Sequence, residues 1–291
     1  MIRRQSILRG PGGHPFIRPQ ARLTHAMMLR AGDPIPGMLV KSHRDVPAHL
    51  ASDLFEFTET MQVSRRRHID GVGYGSEMQL TVANGPLLKV TASDVVIENI
   101  RFVYARAIPA GTLITRPVRC SGETYNPAAL STSTTRCAIH VTGDNVTIRD
   151  CWFDGFDNAV YTTGDNTRVE GTYFKGGTNS TLSAVYLGGS YGHVSGCYVD
   201  STAYGVYVAG NYSSVSGNTI LATESGVFVT SDMNRIHGNH CNGHSDGFGV
   251  TLTTTGQSNT LTGNVCRQGT YYFTTGQGNQ YGANIGTVDL E

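Results

Sequence analysis

Residues 205–225, GVYVAGNYSSVSGNTILATES, and residues 226–246, GVFVTSDMNRIHGNHCNGHSD, align without a gap. Each opens on Gly and an apolar–aromatic–apolar triplet, passes a turn, places an apolar residue nine positions after the first, then gives Gly-Asn and a last apolar position. The unit, about 21 residues long, recurs through residues 138–286. Three short alternating strands between tight turns cannot bury their inner faces alone, but stacked copies can. The repeat therefore predicts a solenoid, and a solenoid's repeat constrains shape more than activity.

Columns follow when residues are placed by offset from the first inward position, taken as Leu88, Ile139, Val160, Val185, Val206, Val227, Leu252 and Tyr272. Nine residues on, the column runs from Ile97 and Ile148 to Leu261 and Tyr281; fourteen on, it runs from Phe102, Phe153 and Phe174 to Cys241, Cys266 and Gly286. The register slips by two at Val250/Leu252, so a small bulge or insertion is expected there. Twelve positions on, the last four coils place Asn218, Asn239, Asn264 and Asn284, three of them after Gly. An Asn in the same turn of each coil can hydrogen-bond its neighbours along the stack. With this ladder, residues 70–286 resemble the pectin-lyase-like superfamily of right-handed parallel β-helices. The resemblance implies an all-β fold of three-strand coils. It leaves activity open, since that superfamily spans polysaccharide lyases, hydrolases, viral tailspikes and non-catalytic proteins.

Composition agrees with a turn-rich β chain: 36 Gly in 291 residues, 15% charged residues and one Trp. A formal net charge of zero argues against nucleic acid as the main partner. The opening MIRRQSILRGPGGHPF lacks the apolar run of a signal peptide, and no stretch is long enough to span a membrane. Of the six cysteines, Cys151, Cys197, Cys241 and Cys266 fall on inward columns, where a thiol is a small apolar filler. Cys120 and Cys137 flank an insertion, and the choice between a disulfide and two thiols stays open there.

Residues 1–51 stand apart as an irregular Pro/Gly-rich arm whose eight Lys and Arg face only Asp33 and Asp45. Its apolar residues Phe16, Ile17, Met27, Met28 and Leu29 suit docking on an acidic protein surface better than an inert linker, and a short helix around residues 21–30 is expected. The β-helix then occupies residues 52–291, with Leu50, Leu54, Phe55 and Phe57 as a cap on its open end. Over residues 103–137 the repeat lapses in a long Pro/Gly/Ser/Thr-rich excursion, which either walls a groove or packs on the shaft or a neighbouring subunit.

Two outward columns carry what chemistry there is. One residue after each origin come His140, Tyr161, Tyr186, Tyr207, Phe228, Thr253 and Phe273 between small residues, an aromatic ridge. Tyr161, Tyr186, Tyr207, Phe228 and Phe273 are the candidate subunit interface, with a docking platform for sugars as the other reading. Thirteen and fifteen residues on, Trp152, Tyr173 and Tyr198 run beside Asp154, Lys175 and Asp200, a candidate glycan-binding patch. Asp154 and Asp200, two coils apart, would be separated by about 9.6 Å, near the upper end of the roughly 6.5–9.5 Å used by inverting glycosidases. Lys175 between them favours a surface ion-pair ladder instead. HGNHCNGH (237–244) spreads its histidines over different faces, which argues against a metal site, and the two TGDN turns stack Asp144 over Asp165, most simply as a turn pair with calcium as the lesser reading. No metal or other cofactor is expected, and no catalytic residue is assigned.

Two readings follow. In the first, the chain resembles phage tailspikes and β-helical virion decoration spikes: a homo-oligomer, expected to be a trimer, anchored to another virion protein through residues 1–51 and presented on the virion exterior after assembly in the host cytoplasm. Host polysaccharide is then a partner, and nucleic acid and membrane are not. In the second, it is a polysaccharide lyase or glycoside hydrolase with its cleft near Trp152, Asp154 and Asp200.

Overall fold

The computed structural model describes residues 27–30, 47–57, 59–80, 85–104, 137–156, 158–176, 183–243, 248–252, 256–273 and 278–290. Among them every strand pairing is parallel, each strand joined to its counterpart one coil away, and the chain winds as a right-handed β-helix. Three faces run along the stack. The first contains Cys137–Val141, Asn158–Thr162 and Ser183–Leu187, the second Thr147–Arg149, Arg168–Glu170 and His193–Ser195. The third contains Trp152–Asp154, Tyr173–Lys175 and the start of Tyr198–Val208. Ile139, Val160 and Val185 align on the first face, Ile148, Val169 and Val194 on the second, Phe153, Phe174 and Val199 on the third, all inward and at most 1% exposed. Phe102, Phe153 and Phe174 stack as near-parallel rings with centroids 4.8 and 5.1 Å apart. Burying these apolar columns is what the isolated coil cannot achieve.

Two corners of each coil need a left-handed residue. Six places past the origin φ is positive at Asp94, Asn145, Asn166, Tyr191, Tyr212, Met233 and Ser258; eleven past it, at Asn99, Asp150, Gly171, Gly196, Gly217, Gly238 and Gly263. Gly, Asn and Asp suit that backbone, whereas Tyr191, Tyr212 and Met233 occupy it against the steric preference of their Cβ. At a further turn position the coils touch backbone to backbone: a Cβ on Gly164 would run into the carbonyl oxygen of Gly143, and one on Gly189 into that of Gly164.

The Asn ladder is present. The N–H of Asn218 donates to Oδ1 of Asn239 at 3.1 Å, that of Asn239 to Asn264 at 3.0 Å, and that of Asn264 to Asn284 at 2.9 Å. A second buried ladder lies five residues earlier: Ser213 N–H donates to Asn234 at 2.7 Å, Asn234 to Asn259 and Asn259 to Asn279, each at 2.8 Å. Both satisfy backbone groups that the corners would otherwise bury unpaired. A third ladder, on the surface, runs the other way. There the later coil's N–H donates to the earlier coil's side chain, as from Asp165 to Asp144 (2.9 Å), Ser190 to Asp165 (2.7 Å), Asp232 to Asn211 (2.9 Å) and Gln257 to Asp232 (2.8 Å).

Several expectations change. Met27–Leu29 is a strand, not part of a helix, and pairs with Ala48–Leu50, which pairs in turn with Arg67–Leu80, so stacked strands begin inside residues 1–51. Leu50, Phe55 and Phe57 are buried in stacked strands instead of forming a separate cap, while Leu54 is exposed. The slip near Val250 is real: Val250, not Leu252, aligns with Val227, and Tyr271 follows it. The column after Phe228 therefore continues through Thr251 and Tyr272, and Phe273 leaves the ridge, since a one-residue slip reverses a strand's faces. The excursion over 103–137 departs after Tyr104 and returns at Cys137. Its residues 105–136, Cys120 among them, and most of residues 1–51 lie outside the described residues.

Candidate functional site

The third face holds the patch expected from the sequence. Register places Arg101, Trp152, Tyr173 and Tyr198 in one column and Asp154, Lys175 and Asp200 in the next. Period-two alternation turns these side chains outward while Phe153, Phe174 and Val199 face the core. Trp152 and Tyr173 stack with centroids 3.7 Å apart at 13°, Tyr173 and Tyr198 5.2 Å apart at 6°. Tyr74, which sequence reasoning missed, adds a tilted ring 4.8 Å from Trp152. It sits in GVGYG (71–75), where the only cue was a Gly-flanked aromatic.

Charges alternate beside the rings. Arg101 Nη1 reaches Glu77 Oε2 at 2.7 Å and its Nη2 lies 3.9 Å from Asp154 Oδ2, while Lys175 Nζ is 4.0 Å from that same oxygen. Burial, and then the Asp200 charge, push the Tyr173 hydroxyl above its ordinary value. Trp152 Nε1 and Arg101 Nε are buried donors with no hydrogen-bond partner among the described residues.

The ridge differs from its expected exposure. Tyr161, Tyr186, Tyr207 and Phe228 do stack along the first face, with centroids 4.6, 5.1 and 5.0 Å apart. Tyr161, Tyr207 and Phe228 are nevertheless only 8%, 4% and 1% exposed, and Tyr186 is half-buried. Tyr204 folds across Tyr207 and Phe228, making a small second core outside the sheet. The side chain of Phe273 lies outside the described residues. Among the described residues an apolar column open to solvent lies at a corner, where Tyr191, Tyr212 and Met233 are 58%, 49% and 48% exposed and the two tyrosines stack at 5.2 Å.

A charged cluster on the second face was also missed, because it lies before the repeat becomes clear. His49 Nδ1 is 3.0 Å from Asp70, Asn99 donates to Asp70 at 2.9 Å, and Glu98 joins His68 (2.6 Å) and Arg149. Burial pushes the Glu98 carboxyl up, but hydrogen bonds from Arg149 and His68 outweigh it and leave the group below its ordinary value.

The remaining candidates resolve locally. Burial raises the Cys151 and Cys197 thiols to about 12, fitting apolar fillers. Asp144 and Asp165 form the surface ladder, so the TGDN turns are a turn pair. His237 is exposed, Cys241 is fully buried, and His244 lies outside the described residues.

A family model described as "Right handed beta helix region" matches residues 135–285. A search of curated protein sequences finds no match. Among solved structures, an alginate lyase from Paenibacillus sp. str. FPU-7 superposes with a TM-score of 0.56 at 13% identity, covering 91% of this chain and 99% of its own. The catalytic domain of a GH87 alpha-1,3-glucanase in complex with nigerose gives 0.54 at 14%, covering 87% of this chain; the chain spans 47% of that domain. The Dettilon tailspike protein gives 0.47 at 14%, covering 88% of this chain and 64% of its own. At these identities the likeness is one of fold. Since the family model covers more than half of its residues, the chain belongs to the right-handed β-helix family.

Proposed function

We propose that the chain is a short, non-catalytic, glycan-binding spike: a rigid β-helical shaft that assembles as a homotrimer, is anchored to a virion through residues 1–51, and offers its third face to host polysaccharide. It would be assembled in the host cytoplasm and displayed on the particle's exterior. The observation that carries this reading is the ring column Tyr74, Trp152, Tyr173 and Tyr198 beside Asp154, Lys175 and Asp200. Aromatic rings take the C–H side of sugars, and charged groups take the hydroxyls. Arg101 and Lys175 converge on one oxygen of Asp154, a pattern of ion pairing rather than of an acid–base pair across an open cleft. For assembly, the exposed Tyr191, Tyr212 and Met233 supply the contact that the covered ridge does not.

Trp152→Ala should weaken binding to host-surface polysaccharide roughly tenfold or more, as expected for a central aromatic anchor; since its ring packs on Tyr74 and Tyr173, the variant should also melt somewhat earlier while staying folded at the assay temperature. Sugar release that vanishes in Asp154→Asn or Asp200→Asn would replace this reading with a lyase or hydrolase. In sedimentation equilibrium the wild type should weigh three chains, and the Tyr191→Asn/Tyr212→Asn/Met233→Asn variant one. Asn suits the left-handed backbone at those corners, so the variant should stay folded. A monomeric wild type would sink the trimeric spike.

A further inference from the structure

The ring column of the third face has a gap. Tyr198 is followed in register by Thr219, and Thr219 by His240. Coils stack at about 4.8 Å, so the Tyr198 and His240 side chains emerge roughly 9.6 Å apart. A ring placed midway lies about 4.8 Å from each, inside the roughly 4.5–7 Å range of favourable ring contacts. Two coils earlier the equivalent interval is filled by protein, Tyr173 lying between Trp152 and Tyr198. Thr219 is too short to do the same and forms only a floor.

The next outward column gives the gap a polar side. Asp200, Leu221 and Asn242 align across the same three coils. Oδ1 of Asn242 is buried without a hydrogen-bond partner among the described residues, an acceptor lacking a donor. Tyr198 is 38% exposed and Thr219 and His240 are half-buried, so the gap opens to solvent.

We infer that this gap is a subsite for one uncharged hexopyranose ring, held between Tyr198 and His240, with its hydroxyls donating to Asn242 and Asp200 and its C–H edge against Leu221. The inference rests on the glycan-binding reading and adds the ligand's class and the residue that controls entry. Asp200 and Asn242 Oδ1 accept, while Asn242 Nδ2, the Thr219 hydroxyl and the His240 ring can donate, so sugar hydroxyls, which do both, suit the gap. A uronate would bring its carboxylate against Asp200, and like charges at that distance repel.

The test uses the full chain and methyl glycosides of glucose, galactose and mannose at millimolar concentration, with methyl glucuronide as the charged counterpart, followed by side-chain NMR shifts. Neutral glycosides should move the Tyr198, Thr219 and His240 signals, and the glucuronide should not. Thr219→Tyr supplies the missing ring in a column that already carries tyrosines, so it should melt at or above the wild-type temperature and lose these shifts. If that variant folds poorly, His240→Ala and Asn242→Leu should each weaken the shifts roughly tenfold. Shifts at Trp152 and Tyr173 with none at Tyr198, Thr219 or His240 would overturn the subsite and leave the glycan-binding face standing. No shift anywhere on the third face would overturn both, and equal response to the glucuronide would overturn the charge selection.

Discussion

Asn239 makes four hydrogen bonds with one amide: its Oδ1 accepts from the N–H and Nδ2 of Asn218, and its Nδ2 donates to Val215 O and Asn264 Oδ1. All of this is buried, so Asn239→Ala strands donors and an acceptor away from water and should cost about 3 kcal/mol in urea unfolding. Asp165, on the exposed ladder, accepts from Ser190 where water can substitute, and Asp165→Ala should cost under about 1 kcal/mol. Equal losses would show that burial does not separate the two ladders. The first Asn ladder was legible because Gly precedes three of its members. The second was not: before Asn234 its column reads Val146, Thr167, Gly192 and Ser213, so no residue type marks it until the ladder has begun. Trp152, Tyr173 and Tyr198 could be read from alternation, whereas Tyr74 reaches them from a Gly-rich bend that has no period.

Strands of the first face show what alternation hides. Asn158–Thr162 is buried at all five positions, the Tyr161 ring lying between His140 and Tyr186, and farther along the same sheet Tyr204 packs over Tyr207 and Phe228. Period-two reasoning identifies the inward residues and treats the rest as exposed; it does not say which connections fold back over a sheet. The error over Phe273 has a different origin, since the register shifts by one residue between Phe248/Val250 and Thr270/Tyr271, which reverses the in-and-out assignment of the residues that follow. Turns are the stricter elements. At Gly164 a Cβ meets the Gly143 carbonyl, whereas at Gly217, with φ of 63°, nothing lies within 4 Å. Gly164→Ala should therefore cost about 2–3 kcal/mol by overpacking and Gly217→Ala nearer 1 kcal/mol from backbone strain alone. The reverse order in thermal unfolding would show that the coils are not limited by backbone contact at that corner.

For the whole molecule, acid is the condition that should loosen the stack. Burial lowers the His140 and His193 values from the ordinary 6.5, with Lys89 adding to the effect at His140. The unfolded chain then takes up protons first as pH falls through 6.5, and stability declines until the folded histidines titrate too. Glu98 acts lower: its contribution is whole above the ordinary 4.5 and is lost as pH falls through its depressed folded value. Melting temperature should hold from pH 8 to 7 and drop in two stages below; His140→Gln/His193→Gln should flatten the first stage and leave the second. A profile unchanged by that double substitution would assign the loss to other groups. The opposed ladders bear on mechanics. From Cys197 onward the inner amides tie each coil to the next one, and the surface side chains from Asn211 onward tie it back to the one before. Tension along the axis would load both sets at every junction from Cys197 onward, so this part of the shaft should resist stretching more than coils joined by strand pairing alone.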